Sequence, residues 1–211
     1  MMPRAYHSAA RDDAAEKNRR RIVAAAGKLL RAKGAGGFSL DAVARKARVT
    51  RLTVYNQFGS RRRLLEAVFD DYAVRGGLTR LPQAASAPNP EEGLRQLAEI
   101  FCDFWSGDHE AKAGLMAMSG TDAEFATAIA ARNERRRGII GMLLKRLAER
   151  GDIASAMVVE LRDLLFAITS MAFFTELAKS AGAAQAASQV KSLAAQVIAE
   201  AKSRSRSPEK S

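Results

Sequence analysis

The chain has 211 residues, of which 47% are hydrophobic and 27% charged, so it can bury a core and is not disordered throughout. Its one cysteine, Cys102, excludes an intrachain disulfide and cysteine-rich metal sites, which fits a reducing cytoplasm. The net charge is +11, and the whole excess lies in residues 1–80, which carry 18 Lys+Arg and 7 Asp+Glu. Residues 81–211 carry 16 of each sign, so the asymmetry indicates that one module binds an anionic partner.

The chain lacks the two apolar patterns that direct a protein to a membrane. No apolar run approaches the ~18–20 residues that a membrane-spanning helix needs, and the first 21 residues have no apolar signal-peptide core. We therefore predict a cytoplasmic protein with no membrane partner. Residues 1–16 and 203–211 are predicted to be flexible tails. Arg4 and Arg11 form either part of a disordered tail or an arm that reaches the DNA minor groove.

Four helices are predicted in the basic region. The first covers 17–33, where one apolar stripe recurs at helical spacing, and it ends at the glycines of 34–37. Ser39 is placed to cap a second short helix, and Thr50 a third, Arg51–Gln57. Ser60 is placed to cap the fourth, which begins at Arg61.

The remainder of the chain is also predicted to be helical. The segment Gly76–Pro90 is rich in Gly, Pro and Ser and indicates a linker. Helical periodicity then predicts helices over 91–105, 110–118, 122–150 (either continuous or broken), 156–179 and 183–202. Because strand patterns are nearly absent, we expect an all-α fold.

The segment Ser39–Gln57 has the pattern of a helix-turn-helix, whose second helix enters the DNA major groove. In Arg51–Gln57 we predict that Leu52, Val54 and Phe58 pack inward. Arg51 has the reach to bond guanine, Asn56 or Gln57 can pair with adenine or bind phosphate, and Thr53 can meet a thymine methyl or a phosphate. Tyr55 fits a phosphate donor better than a base reader.

Residues 17–75 resemble the DNA-binding region of the tetracycline-repressor (TetR) family of bacterial transcription regulators. The resemblance lies in the 22–30 core helix, in FSLDAVARKARVTRLTVYNQFGSRRRLLEAV, and in the spacing of Val49, Thr50, Thr53, Tyr55, Phe58 and Leu65. It implies an all-α protein with a three-helix DNA-binding domain over 17–63 and a helical effector-binding and dimerisation domain over 64–202. The DNA-binding residues that follow from the motif and the resemblance are Ser39, Arg48, Thr50, Arg51, Thr53, Tyr55, Asn56, Gln57 and Arg61.

Two positions depart from the family pattern. Arg48 stands where the family usually has a glycine in a left-handed turn, which costs a non-glycine residue roughly 1 kcal/mol. We expect the turn to survive, with Arg48 aimed at phosphate. Arg61 replaces the usual lysine, and the run Arg61–Arg63 places three cations in a first helical turn, where they oppose the helix dipole unless a phosphate binds there. A merely solvated basic turn is the alternative.

The resemblance also implies a ligand pocket within the second domain, where a small, largely apolar effector would bind. Most of the large apolar side chains must be core; the candidates for lining a pocket are Phe101, Phe104, Trp105, Met116, Phe125, Met142, Phe166 and Phe173. Asp103 is either a receptor for a cationic group or a solvated boundary carboxylate.

In the family the last two long helices pack against their copies in a homodimer. The residues that we predict for this interface, with a core-only role as the alternative, are Leu161, Leu165, Ile168, Ala172, Ala187, Val190, Ala194 and Val197.

The expectation is therefore a homodimeric, ligand-responsive transcription regulator, most often a repressor in this family, bound to a near-palindromic double-stranded DNA operator. No cofactor, metal site or catalytic residue is predicted. The alternatives are an activator, an effector-independent DNA-binding protein of the same fold, and a helical enzyme whose basic N-terminus binds an anionic substrate. The enzyme hypothesis predicts a convergent acid/base or metal constellation, which the sequence does not display.

Overall fold

The structure, a computed structural model, describes residues 5–206, with side chains from residue 13 onward. Over this range the only regular secondary structure is helical and there is no strand, which confirms the all-α fold class. The helices are α1 (Ala5–Lys33), α2 (Leu40–Ala47), α3 (Arg51–Phe58), α4 (Arg61–Arg75), α5 (Leu81–Ala85), α6 (Pro90–Ser106), α7 (His109–Ala117), α8 (Ala123–Glu149), α9 (Val158–Ile168) and α10 (Met171–Arg206). None of these helices is both long and apolar enough to cross a membrane.

The helices at the two ends are longer than predicted. α1 begins at Ala5 rather than at residue 17, because the alanine-rich segment before it has good intrinsic helix propensity. α10 runs to Arg206, past the predicted end at 202. The prediction of flexible tails is therefore wrong for the helical residues at each end. Arg4 and the side chain of Arg11 lie outside the part of the chain that the structure describes.

The chain divides into two compact units. The first unit comprises residues 1–72 and 108–129, and the second comprises residues 73–107 and 130–211. The sequence predicts that the segment 108–129 is part of the second domain, whereas in the structure α7 packs on α1 inside the first unit. The approach is close: a Cβ on Gly114 would lie 2.6 Å from the backbone oxygen of Leu30. Sequence order alone gave no indication of this pairing.

The core of the first unit follows the predicted apolar stripe. Ile22, Ala26 and Leu30 of α1 are buried, together with Val54 and Phe58 of α3. α1 packs on α2 and α3, so the long helix supports the helix pair that the sequence identified as a DNA reader.

The second unit is built around α6, which packs on α5 and α10, while α9 also packs on α10. The prediction of a linker over Gly76–Pro90 is wrong, because part of this segment folds into α5 and Ala84 is buried. Arg146 of α8 donates to the carbonyl oxygens of Ala87 at 2.7 Å and Pro88 at 3.2 Å. The backbone of the segment therefore has its acceptors satisfied by a side chain about 60 residues away.

The interruptions of the last helices agree with the prediction only in part. α8 is continuous, although its sequence suggested a break. Instead, the helix predicted over 156–179 ends at Ile168, and Ser170 caps the next one by accepting from the amide of Phe173 at 3.2 Å. α10 has a kink at Gly182, which confirms the break predicted between residues 179 and 183, and its φ of 79° suits a residue without a Cβ.

Candidate nucleic-acid interface

Two hydroxyl groups fix where the helices of the helix-turn-helix begin. The Oγ of Ser39 accepts from the amide of Ala42 at 3.1 Å, and the Oγ1 of Thr50 accepts from the amide of Thr53 at 3.0 Å. The hydroxyls of Thr50 and Thr53 also share a hydrogen bond of 2.8 Å. Both predicted caps are confirmed, and each satisfies an amide that the helix itself leaves without a partner.

The turn between α2 and α3 is built on a left-handed arginine. Arg48 has φ 52° and ψ 49°, as its place in the motif predicted. The amide of Val49 donates to the oxygen of Ala44 at 3.0 Å, and Nη2 of Arg21 donates to the Arg48 carbonyl at 3.3 Å. The backbone of the turn is therefore tied on both sides, while the Arg48 side chain is exposed.

The outward face of α3 differs in one residue from the prediction. Val54 and Phe58 are buried as expected, but Leu52 is 65% exposed. Leu52 shares its face with Tyr55 and Asn56, three and four positions along the helix. The same spacing rule that placed Val54 and Phe58 inside could have placed Leu52 outside, so the sequence contained this information.

The other predicted contacts on α3 are arranged around this face. Arg51 is exposed and forms an ion pair with Asp41 of α2 at 3.1 Å. Tyr55 is 57% exposed, and Asn56 is exposed as well. Thr53 and Gln57 are half-buried, and Gln57 lines with Asn56 a polar groove of about 440 Å³ beside the end of the helix.

Two arginines of the run Arg61–Arg63 have carboxylate neighbours in the same chain. The Nε of Arg61 lies 3.9 Å from a carboxylate oxygen of Asp122, and the Nε of Arg62 lies 3.3 Å from Glu124. Both acids belong to the segment 108–129 of the same unit. Of the three arginines, only Arg63 is exposed. The carboxylates of Asp122 and Glu124 therefore offset part of the unfavourable interaction between these cations and the helix dipole of α4, with no phosphate bound.

The aromatic and methionine residues predicted to line a pocket fall into both units. Met116 and Phe125 belong to the first unit, and the other six belong to the second. Phe101, Phe104, Trp105 and Phe125 are buried; Met116, Phe166 and Phe173 are half-buried, whereas Met142 is 41% exposed. A cavity of about 330 Å³ between α6 and α10 is instead lined by polar and small residues such as Glu92, Arg95 and Ala194.

A buried arginine lies among these aromatic side chains, and the sequence analysis missed it. Arg136 of α8 is 5% exposed, with its guanidinium carbon 4.8 Å from the ring centre of Phe101 and 4.1 Å from that of Phe166. Its Nη1 donates to the carbonyl of Thr169 at 2.7 Å, and Trp105 Nε1 donates to the same oxygen at 3.0 Å. Burial, aided by the nearby charge of Arg137, lowers the pKa of Arg136 to about 10. No motif or spacing marks one arginine of the run Arg135–Arg137 as the buried one.

Asp103, the candidate receptor for a cationic group, already has a cation. Its carboxylate oxygen lies 2.6 Å from Nη2 of Arg80. Both side chains are about half exposed, so the pair is a boundary ion pair of the kind that the alternative interpretation described.

Most of the residues predicted for a dimer interface lie inside the protomer. Leu161, Leu165, Ile168, Val190 and Ala194 are all at most 5% exposed. Ala187 and Val197 are half-buried, and Ala172 is exposed. This is the core role that the sequence analysis kept as the alternative. The exposed apolar side chains of α9 are Val159, at 58%, and Leu164, at 42%.

Comparison with known proteins agrees with this arrangement. Residues 22–68 match the sequence profile of the bacterial regulatory proteins of the tetR family, and this range contains both capped helices. No curated protein matches the chain significantly in sequence.

Solved structures of regulators share the fold over nearly their whole length. A TetR transcription regulator from Haloarcula marismortui ATCC 43049 is 14% identical, with a TM-score of 0.72 over 88% of this chain and 98% of that one. A TetR-like transcriptional regulator from Rhodococcus sp. RHA1 is 20% identical, with a TM-score of 0.64 over 94% and 99%. AibR, in complex with isovaleryl coenzyme A and operator DNA, is 17% identical, with a TM-score of 0.60 over 83% and 97%. Residues 22–68 thus form a DNA-binding domain of the tetR family, and the chain as a whole has the fold of TetR-family transcription regulators.

Proposed function

We propose that this chain is a homodimeric repressor that binds a near-palindromic operator and is released by a small-molecule effector. The observation that carries the proposal is the outward face of α3, where Arg51, Leu52, Tyr55 and Asn56 are exposed together on a helix that the Thr50 cap and a buried opposite face hold in place. A capped helix with reading groups on one face and core residues on the other is what major-groove recognition needs.

The side chains of this face divide by chemistry into base readers and phosphate contacts. Arg51 lies in the first turn of α3, where its guanidinium reaches the two acceptors of guanine, and Asn56 suits adenine. Leu52 offers an apolar surface for a thymine methyl. Tyr55 and the exposed cation Arg48 serve as phosphate contacts that set the orientation on the duplex. Ser39 and Thr50 act through the backbone that they cap.

Two further features support the dimer and the effector. Val159 and Leu164 leave apolar surface on α9, and α9 and α10 are the helices that the family uses for dimerisation. In the proposed dimer the partner subunit covers these two side chains. The solved complex of AibR, a protein of the same fold, contains both an acyl-coenzyme A and operator DNA. We extend ligand control to this chain by that likeness of fold.

The test begins with recovery of bound fragments from a library of genomic DNA, followed by fluorescence anisotropy on the enriched site. We expect a near-palindromic site whose half-sites lie about one helical turn apart. Sedimentation at micromolar concentration should give a dimer, and Val159→Glu with Leu164→Glu should give monomers. A stable wild-type monomer, or enrichment without sequence preference, contradicts the proposal. A reporter gene placed behind the recovered site distinguishes repression from activation.

A further inference from the structure

The buried charge of Arg136 has a second arginine, Arg137, as its neighbour. Among the residues that the structure describes, no carboxylate forms an ion pair with Arg136, and its buried Nε has no hydrogen-bond acceptor. The neighbouring Arg137 is different, because it lies 2.6 Å from a carboxylate oxygen of Asp163. Both guanidinium groups lie about 4 Å from the ring centre of Phe166, but only one of them has an anion.

Burial of a charge without a partner is unfavourable, so a structural role for Arg136 has to explain why the charge is kept. The one hydrogen bond that the structure gives it joins Nη1 to the carbonyl of Thr169, which follows the last residue of α9. Trp105 already donates to that oxygen. Capping a carbonyl that has another donor does not require a full positive charge, and it uses one of the five N–H groups of the guanidinium.

We propose that Arg136 is the anion-binding subsite for the effector, and that the effector is an amphipathic monocarboxylate whose apolar part lies against the Phe101, Trp105 and Phe166 cluster. The inference rests on the proposed function for the existence of an effector and adds its chemical class. A carboxylate accepts the Nε–H together with an Nη–H in the two-pronged geometry that guanidinium groups favour. Of the two guanidinium groups at the Phe166 ring only that of Arg136 lacks a carboxylate, so the cluster suits one negative charge together with an apolar group. This revises the largely apolar effector expected from the sequence.

The site contains its own reporter. Trp105 is the only tryptophan of the chain, and it donates to the same carbonyl oxygen as Arg136. A carboxylate that binds the Arg136 guanidinium should change the environment of the Trp105 indole and therefore its fluorescence. The probes are three matched pairs: hexanoate and 1-hexanol, decanoate and 1-decanol, phenylacetate and 2-phenylethanol. Each is titrated into the full-length protein while the fluorescence of Trp105 is recorded.

We expect at least one carboxylate to bind roughly ten- to a hundredfold more tightly than its alcohol, which is the range for a hydrogen bond to a charged group. Arg136→Met should remove this preference, whereas the control Arg137→Met, which changes the adjacent arginine on the same ring, should keep it. The inference is overturned if no carboxylate binds better than its alcohol, or if folded Arg136→Met retains the preference. If Arg136→Met does not fold, Arg136→Lys decides, because it keeps the charge and removes Nε; an undiminished preference in that variant contradicts the assignment.

Operator binding is measured separately by anisotropy, so that the two proposals can fail independently. Carboxylate binding that leaves the operator complex intact supports the subsite and contradicts effector control. Release of the operator by neutral compounds alone, with equal potency on Arg136→Met, supports effector control and overturns the subsite.

Discussion

Replacement of Arg48 by glycine should make the protein more stable and at the same time a weaker DNA binder. With φ 52° and ψ 49°, Arg48 has a left-handed backbone that costs a residue with a Cβ about 1–2 kcal/mol. Glycine removes this strain, but it also lowers the free energy of unfolding by about 0.5–1 kcal/mol, because the unfolded chain is more flexible at a glycine. The backbone hydrogen bonds of the turn do not involve the Arg48 side chain and should persist. The net gain is about 0.5–1 kcal/mol, or roughly 1–4 °C in the melting temperature of a chain of this size.

Loss of the exposed, charged Arg48 side chain should weaken binding to operator and random DNA alike. It should also reduce the slope of log K against log salt by about 0.9. Arg48→Ala is the matched control, since it loses the same charge but retains the Cβ and the strain. Thermal denaturation and anisotropy at several salt concentrations measure both effects. An Arg48→Gly protein that is less stable than Arg48→Ala would refute the claim that the turn is strained, and an unchanged salt slope would remove Arg48 from the phosphate contacts.

Three further results are expected. Arg51→Ala should lose about 1–3 kcal/mol of binding free energy on the operator and less on random DNA. The stability should change little, because the Arg51–Asp41 pair is exposed. An equal loss on both DNAs, measured by anisotropy, contradicts base reading. Burial raises the pKa of the Cys102 thiol to about 11, so the thiolate fraction at pH 8 is about one in a thousand. Iodoacetamide should therefore label Cys102 only in denaturant. Rapid labelling of the native protein contradicts the burial of this thiol. Asp122→Asn, which keeps an oxygen to cap α8 but loses the charge near Arg61, should strengthen binding to random DNA and steepen the salt slope. An unchanged slope in that variant would mean that Arg61 does not contact DNA.

The helix-turn-helix could be predicted in detail because the interactions that define it are local in sequence. Each cap joins a hydroxyl to an amide three residues later, and the left-handed turn depends on the same few residues. Helical spacing similarly placed Val54 and Phe58 in the core. Leu52 was assigned to the wrong face because its hydrophobicity was weighted above its position, although Tyr55 and Asn56 stand on the same side.

The second unit was harder to predict because its specific features join distant residues. A segment rich in proline and glycine is indistinguishable from a linker until Arg146 supplies donors to its carbonyls. Leu161 and Leu165 are suitable for either a core or an interface, and only the packing of α9 on α10 decides between them. Arg136 lies in a stretch of charged residues that predicts a solvated surface, and its burial depends on aromatic residues from two other helices.

The charge that DNA meets is smaller than the charge counted along the sequence. The excess of +11 assigned to residues 1–80 includes Arg31, Arg61 and Arg62, which the structure pairs with Asp108, Asp122 and Glu124. These acids belong to the half of the sequence that is neutral on balance, yet they lie in the first unit. Their carboxylates lower the affinity for DNA in general without touching the base readers on α3. A phosphate contact can be made on any sequence, so these ion pairs lower the affinity for the operator and for random DNA by the same factor and leave the ratio of the two unchanged. Asp122→Asn is therefore expected to gain affinity for the operator and for random DNA alike, and a gain confined to one of the two DNAs would contradict the assignment of Arg61 to a phosphate contact.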